Sequence, residues 1–181
     1  MSDIIPGHSA PTAGFEVPLE MLSACHHRIE RQCATMRRLV EHLETRGTDQ
    51  AAREAAAAVV RYFDTAAKDH HADEEEDLFP ALIESMAGSD PVCLREITGA
   101  LAADHREIEA LWGSVRVTLA RVAAGDAVTL ASAEVEALVT AYEQHIEREE
   151  SELIPMAARL LSDESLDLIG RAMRARRGIA L

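Results

Sequence analysis

Two stretches of the chain pair a histidine with a glutamate four residues later and a proline ten residues later. His70 and Glu74 lead to Leu78–Phe79–Pro80, and His145 and Glu149 lead to Leu153–Ile154–Pro155. A histidine and a glutamate at that spacing stand on one face of an α-helix, one turn apart. Imidazole nitrogen and carboxylate oxygen are both metal ligands, so each stretch can offer two donors to one point. Two further histidines, His26 and His105, each begin an H-x-x-I-E pattern, with Ile29–Glu30 and Ile108–Glu109. Together these residues suggest a buried site for two metal ions.

One histidine on an apolar stripe is ordinarily a satisfied core residue. Four of them with two glutamates are a different matter, because each unpaired buried carboxylate is costly and neutral imidazoles still need partners. Leucine would fill such positions more cheaply. Divalent cations neutralise the carboxylates and use the imidazole lone pairs at once. Mixed nitrogen and oxygen donors suit iron, manganese or zinc, and no thiolate lies on an H-x-x-x-E face to favour a soft zinc or copper site. Two carboxylates able to bridge, with at least four nitrogens, point to two ions. Iron fits best, as a non-haem pair with a bridging oxo or hydroxo group.

The elements that must position these residues are helical. Alanine and leucine abound, aromatic residues make up 3% of the 181-residue chain, and strand-favouring runs are scarce, so the class is all-α. Leu19, Leu22, His26, Ile29, Cys33, Met36, Val40 and Leu43 recur at spacings of three and four, and so do Leu94, Leu101, His105, Ile108, Trp112, Val115, Leu119 and Val122. Phe63, Ala67, His70, Glu74, Leu78 and Ala81 form a third stripe, and Val135, Leu138, Tyr142, His145, Glu149, Leu153 and Met156 a fourth. Each is the seam of a core-facing helix. Helices are expected over about 18–46, 48–86, 91–123 and 129–161. A helix of ~28 residues is ~42 Å long, and short connections favour an antiparallel up-down-up-down four-helix bundle.

An irregular N-terminal arm over 1–17 precedes the bundle at 18–161. A short C-terminal helix and a basic tail with Arg174, Arg176 and Arg177 follow in 162–181. Gly88–Ser89–Asp90–Pro91 reads as a stop, a cap and a first-turn proline. Pro80 and Pro155 are expected to kink their helices beyond the site. The seams turn His26 and His70 inward and leave His27 and His71 on a flank, ~100° away. The pattern is duplicated, His26 matching His105 and the His70 stretch matching the His145 stretch, as two helical hairpins of similar size would require.

With 18 basic against 32 acidic side chains, the formal charge of −14 argues against nucleic acid or an anionic membrane surface as partner. No basic, apolar leader opens the sequence and no apolar run is long enough to span a bilayer. The three cysteines Cys25, Cys33 and Cys93 cannot all pair, which fits a reducing cytoplasm. The expected location is therefore cytoplasmic.

The paired H-x-x-x-E-x-x-x-L-[FI]-P copies, with H-x-x-I on the other two helices, resemble the hemerythrin-like (HHE cation-binding) family over about residues 19–161. That resemblance implies a four-helix bundle around a non-haem di-iron centre, with His70 and His145 as terminal ligands, Glu74 and Glu149 bridging, and His26 and His105 completing the set. Oxygen-carrying members have a second histidine one turn after the helix-three ligand. Here that position is Glu109, which is expected to join the set as an extra carboxylate. Glu150 rivals Glu149, His71 is a further ligand in reserve, and Glu30 is taken as solvated. The expected function is binding or sensing of dioxygen or nitric oxide by the iron pair. The alternatives are a di-iron redox enzyme consuming peroxide or oxidising ferrous iron, and an iron-storage or iron-sensing protein. The ferritin-type E-x-x-H motif is absent. A protein partner is possible for signalling, since no separate output domain is visible.

Overall fold

The computed structural model describes residues 14–86 and 92–179, so the Gly88–Pro91 stop and most of the N-terminal arm lie outside the described residues. Helix α1 (Pro18–Arg46) begins with a proline in its first turn and ends at Gly47, whose φ of 71° suits a residue without a side chain. α2 (Gln50–Asp64) is capped by Asp49, whose carboxylate accepts from the Ala52 N–H. α3 (Ala66–Ala72), a first π-helical segment (Asp73–Leu78) and α4 (Phe79–Ser85) follow without a loop. α5 (Val92–Ala124) is unbroken, whereas α6 (Ser132–Arg148) passes through a second π segment (Glu149–Leu153) into α7 (Ile154–Leu160). α8 (Asp163–Arg176), capped by Ser162, closes the chain. Among the described residues there is no strand, and no helix is long and apolar enough to cross a membrane.

α1 packs on α2, α2 on α5, α5 on α6, and α6 returns to α1. This is the expected all-α four-helix bundle. Its core forms two apolar clusters. One contains Ile29, Phe63, Ala67, Ile108, Trp112, Leu138 and Tyr142, and the other Leu22, Leu78, Leu82, Leu101, Leu153, Ile169 and Met173. Each seam histidine falls between a member of one cluster and a member of the other, as His26 does between Leu22 and Ile29. A polar layer therefore crosses the bundle with apolar packing on both sides. Each fully buried leucine contributes about 1.5–3 kcal/mol, so the clusters can carry the cost of the layer.

The second long helix is not the single rod its periodicity suggests. Thr65 leaves helical geometry (φ −126°, ψ −83°) while its hydroxyl donates to the Arg61 carbonyl at 2.7 Å. The prolines also act differently from the expected kink. In each copy the N–H of the residue before the proline reaches back five residues, from Phe79 to Glu74 and from Ile154 to Glu149. A proline inside an α-helix clashes with the carbonyl four residues earlier, and the wider π turn removes that clash. The extra residue in the turn also shifts the seam by one position. Leu82 and Ala157 are buried where Ala81 and Met156 were expected, and those two are only half-buried.

Candidate metal centre

The polar layer gathers seven side chains, all buried: His26, His70, His71, Glu74, His105, His145 and Glu149. α1 supplies His26, α3 supplies His70 and His71, α5 supplies His105 and α6 supplies His145. The two glutamates come from the π segments, Glu74 as the second residue of the first and Glu149 as the first of the second. Ligand atoms of His26, His70, Glu74 and Glu149 all lie within 4.8 Å of one another, as do those of His71, His105 and His145, and those of Glu74, His105, His145 and Glu149.

The carboxylates are divided between two groups of imidazoles. Glu74 Oε1 stands 3.4 Å from His70 Nε2 and 3.8 Å from His26 Nε2, while its Oε2 is 3.2 Å from His105 Nε2. Glu149 Oε2 stands 3.0 Å from His26 Nε2, while its Oε1 is 3.3 Å from His145 Nε2. Each glutamate thus turns one oxygen to the His26–His70 pair and the other to the His105–His145 side. Despite these approaches, all four carboxylate oxygens and the Nε2 atoms of His26, His70 and His71 lack a hydrogen bond of acceptable geometry. Buried polar atoms are seldom left so. Converging buried donor atoms left without hydrogen-bond partners are what a cation would occupy, so this donor set fits a metal.

The outer faces of the rings are held by a second tier of carboxylates. His26 Nδ1 donates to Glu150 at 2.5 Å, His105 Nδ1 to Glu75 at 2.7 Å, and His145 Nδ1 approaches Asp104 at 3.5 Å. Arg106 in turn bonds Glu75, and Arg148 bonds Asp104 at 2.9 Å. Such bonds fix the tautomer and aim Nε2 inward. Glu150, a rival to Glu149 by spacing, is therefore an orienting group on the far side of His26. A groove of about 410 Å³ between α5 and α6, lined by Asp104, Ile108, Ala137, Ala141 and Arg148, reaches His145.

The proton balance reflects the same arrangement. Burial alone would lower His26, yet the carboxylates of Glu149, Glu150 and Glu74 raise it to about 12. Burial and the neighbouring His26 hold His70 well below its ordinary value, and burial with His105 and His145 does the same to His71. Burial opposes ionisation of Glu149, but the close approach of the His145 and His26 imidazoles wins and keeps its carboxyl well below the usual range.

Of the residues singled out by sequence, His26, His70, Glu74, His105, His145 and Glu149 come together. Glu109 does not. It lies at the surface, 49% exposed, paired with Arg106 at 3.3 Å. Ile108 is buried between His105 and Trp112 on the inward face of α5, while Glu109 stays on its exposed side with Arg106. Glu30 is likewise exposed, against His27. The seventh member is His71, stacked on His105 with ring centroids 4.0 Å apart. Its signal in the sequence was the histidine doublet itself, since the second copy has Ile146 at that place.

The family description "Hemerythrin HHE cation binding domain" matches residues 17–157. The chain belongs to the hemerythrin HHE cation-binding family. Membership implies that the domain binds a metal cation, and the His–Glu cluster is a group that could hold one. A relative from Haemophilus influenzae, described as an uncharacterized protein, is 31% identical over 167 residues, covering 92% of this chain and 94% of its own length.

Proposed function

We propose that this HHE-family chain holds two iron ions and uses them to bind or sense a diatomic ligand, dioxygen or nitric oxide. The observation that supports it best is the division of each glutamate between two groups of histidines. His26 and His70 would hold one ion, His71, His105 and His145 the other, and Glu74 and Glu149 would bridge both, with an oxo or hydroxo group as a further bridge. Bound iron would supply a redox couple and an exchangeable coordination position. The protein supplies two histidines and two carboxylate oxygens on one side, against three histidines and two oxygens on the other. The His26–His70 side thus offers fewer protein donors, and an exchangeable ligand would bind on that side.

The surface position of Glu109 weakens the case for a redox enzyme. A third carboxylate in the set would have favoured the ferric state and irreversible oxidation, and five neutral histidines with two carboxylates do not. Cytoplasmic location remains part of the reading, supported by Cys25, Cys33 and Cys93 all being free thiols. The net charge of −14 continues to disfavour nucleic acid.

Iron per chain and the visible spectrum, taken reduced without air, then in air, then degassed, test the proposal. About two irons and an air-induced band that fades on degassing are expected, in keeping with the donor count. A band that returns only with reductant would support turnover instead, and an iron-free chain unaffected by chelators would end the metal reading.

A second prediction separates the two sequence candidates for the last ligand. His71→Ala is expected to weaken metal binding at the three-histidine side by about 10–100-fold or more, whereas Glu109→Ala leaves binding unchanged. Equal losses would put Glu109 back among the ligands.

A further inference from the structure

The basic tail is turned inward on the first His–Glu motif. Asp73, the residue before Glu74, is fully buried. Its Oδ1 accepts from Arg176 Nη1 at 2.5 Å and Arg177 Nη1 at 3.1 Å, and its Oδ2 from Arg177 Nη2 at 2.6 Å. Arg176 also reaches Glu76 and Asp77, each at 2.8 Å, so its guanidinium spans three carboxylates of the first π segment. Arg177 is itself fixed by donating to the Met173 carbonyl at 2.8 Å.

We propose that Arg176 and Arg177 are positioning residues for Glu74, acting through Asp73. The inference rests on the metal reading above and goes beyond it. The histidines His26, His105 and His145 are aimed by carboxylates on their outer nitrogens. Glu74 has no such help, because neither of its oxygens has a hydrogen bond. Its carboxylate is placed by its backbone alone, and that backbone lies in a π turn, a rare form found mostly as single turns within α-helices. Pinning the adjacent Asp73 with the two-pronged Arg177 guanidinium and a further bond from Arg176 fixes that turn.

The second copy of the motif points to the same logic. Arg148 stands before Glu149 where Asp73 stands before Glu74, and it bonds Asp104 on α5. Each π segment is thus anchored through the residue preceding its glutamate. The second anchor lies within the four-helix bundle, while the first is brought by α8 from outside it. α8 reaches that place because Ile169 and Met173 are buried in the apolar cluster. Gly170 also lets the helix meet the Phe15 carbonyl, where a Cβ would collide.

Titrating the full-length chain with Co²⁺, read by its visible d–d bands, tests the role. The Arg176→Ala/Arg177→Ala pair and Asp73→Asn are expected to bind about 10–100-fold more weakly, the size of effect seen when supports of metal ligands are removed, with shifted bands. Arg177→Lys, keeping charge but losing the fork, should fall between these and the unchanged chain. Arg174→Ala is the control, since Arg174 ties the same helix end to Glu16 at 2.9 Å without touching Asp73. It should lower thermal stability while leaving Co²⁺ affinity and bands unchanged. Unchanged affinity and bands in the paired variant would overturn the proposal, as would an equal loss in Arg174→Ala, which would make α8 only a stabilising brace. Should the paired variant fail to fold, Asp73→Asn and Arg177→Lys decide the same question. Glu74→Ala in the same titration separates the two levels. If it keeps full Co²⁺ the metal reading fails, and if it loses Co²⁺ while the clasp variants do not, only the clasp fails.

Discussion

Glu149→Ala is expected to remove both metal ions together, from about two per chain to well below one after gel filtration. A terminal ligand serves one ion, and losing it should leave the other. Glu149 instead stands 3.0 Å from His26 Nε2 with one oxygen and 3.3 Å from His145 Nε2 with the other. Its deletion therefore strips an oxygen from each side. It also halves the negative charge facing two divalent cations, since only Glu74 remains in the layer, and inside a protein that charge is weakly screened. Glu74→Ala should behave in the same way. His70→Ala provides the contrast, costing only the ion beside His26. Glu149→Gln, which keeps one ligating oxygen, should lie between. A Glu149→Ala chain that retained one full ion would show that the carboxylate does not bridge.

That contrast bears on what the sequence made legible. Spacings of three and four along four stripes identified the bundle and turned six of the seven clustered residues inward, because a buried helix face has one period and the chain follows it. One difference comes where the helix departs from that period. His71 sits ~100° from the seam of an ideal rod, but Thr65 breaks the helix before it and a π segment follows directly after it. Glu109 was carried in by resemblance to relatives with a histidine there, although the seam already ran through Ile108, and it lies exposed beside Arg106. The π turns left only the two prolines as a trace. The arginine clasp on Asp73 joins residues 103 and 104 apart in sequence, and no local pattern reports such a pairing.

Removing the metal with a chelator is expected to lower the midpoint of thermal unfolding by roughly 15 °C or more without unfolding the chain at room temperature. Each site saturated at a thousand times its dissociation constant adds ~4.1 kcal/mol. Two such sites add roughly 8 kcal/mol, and a domain of this size shifts by about 2–4 °C per kcal/mol. The metal-free chain should nevertheless remain folded, because the two apolar clusters persist and His26 takes up a proton among Glu149, Glu150 and Glu74.

The pH dependence of that metal-free state follows from the same groups. His26 is raised to about 12, so the stability its charge contributes is complete below its unfolded value of ~6.5 and is lost as pH rises toward 12. His70 and His71 are lowered, so the unfolded chain binds their protons first and stability also falls as pH drops below ~6.5. The metal-free protein should therefore be most stable near pH ~6.5. Metal binding must expel the His26 proton, so affinity should rise about tenfold per pH unit for that proton alone. Thermal melts of chelated and reloaded protein between pH 5 and 9, with metal titrations at each pH, check both limbs. A midpoint indifferent to saturating metal would place the cation away from this layer, and an affinity flat in pH would mean that His26 is no ligand.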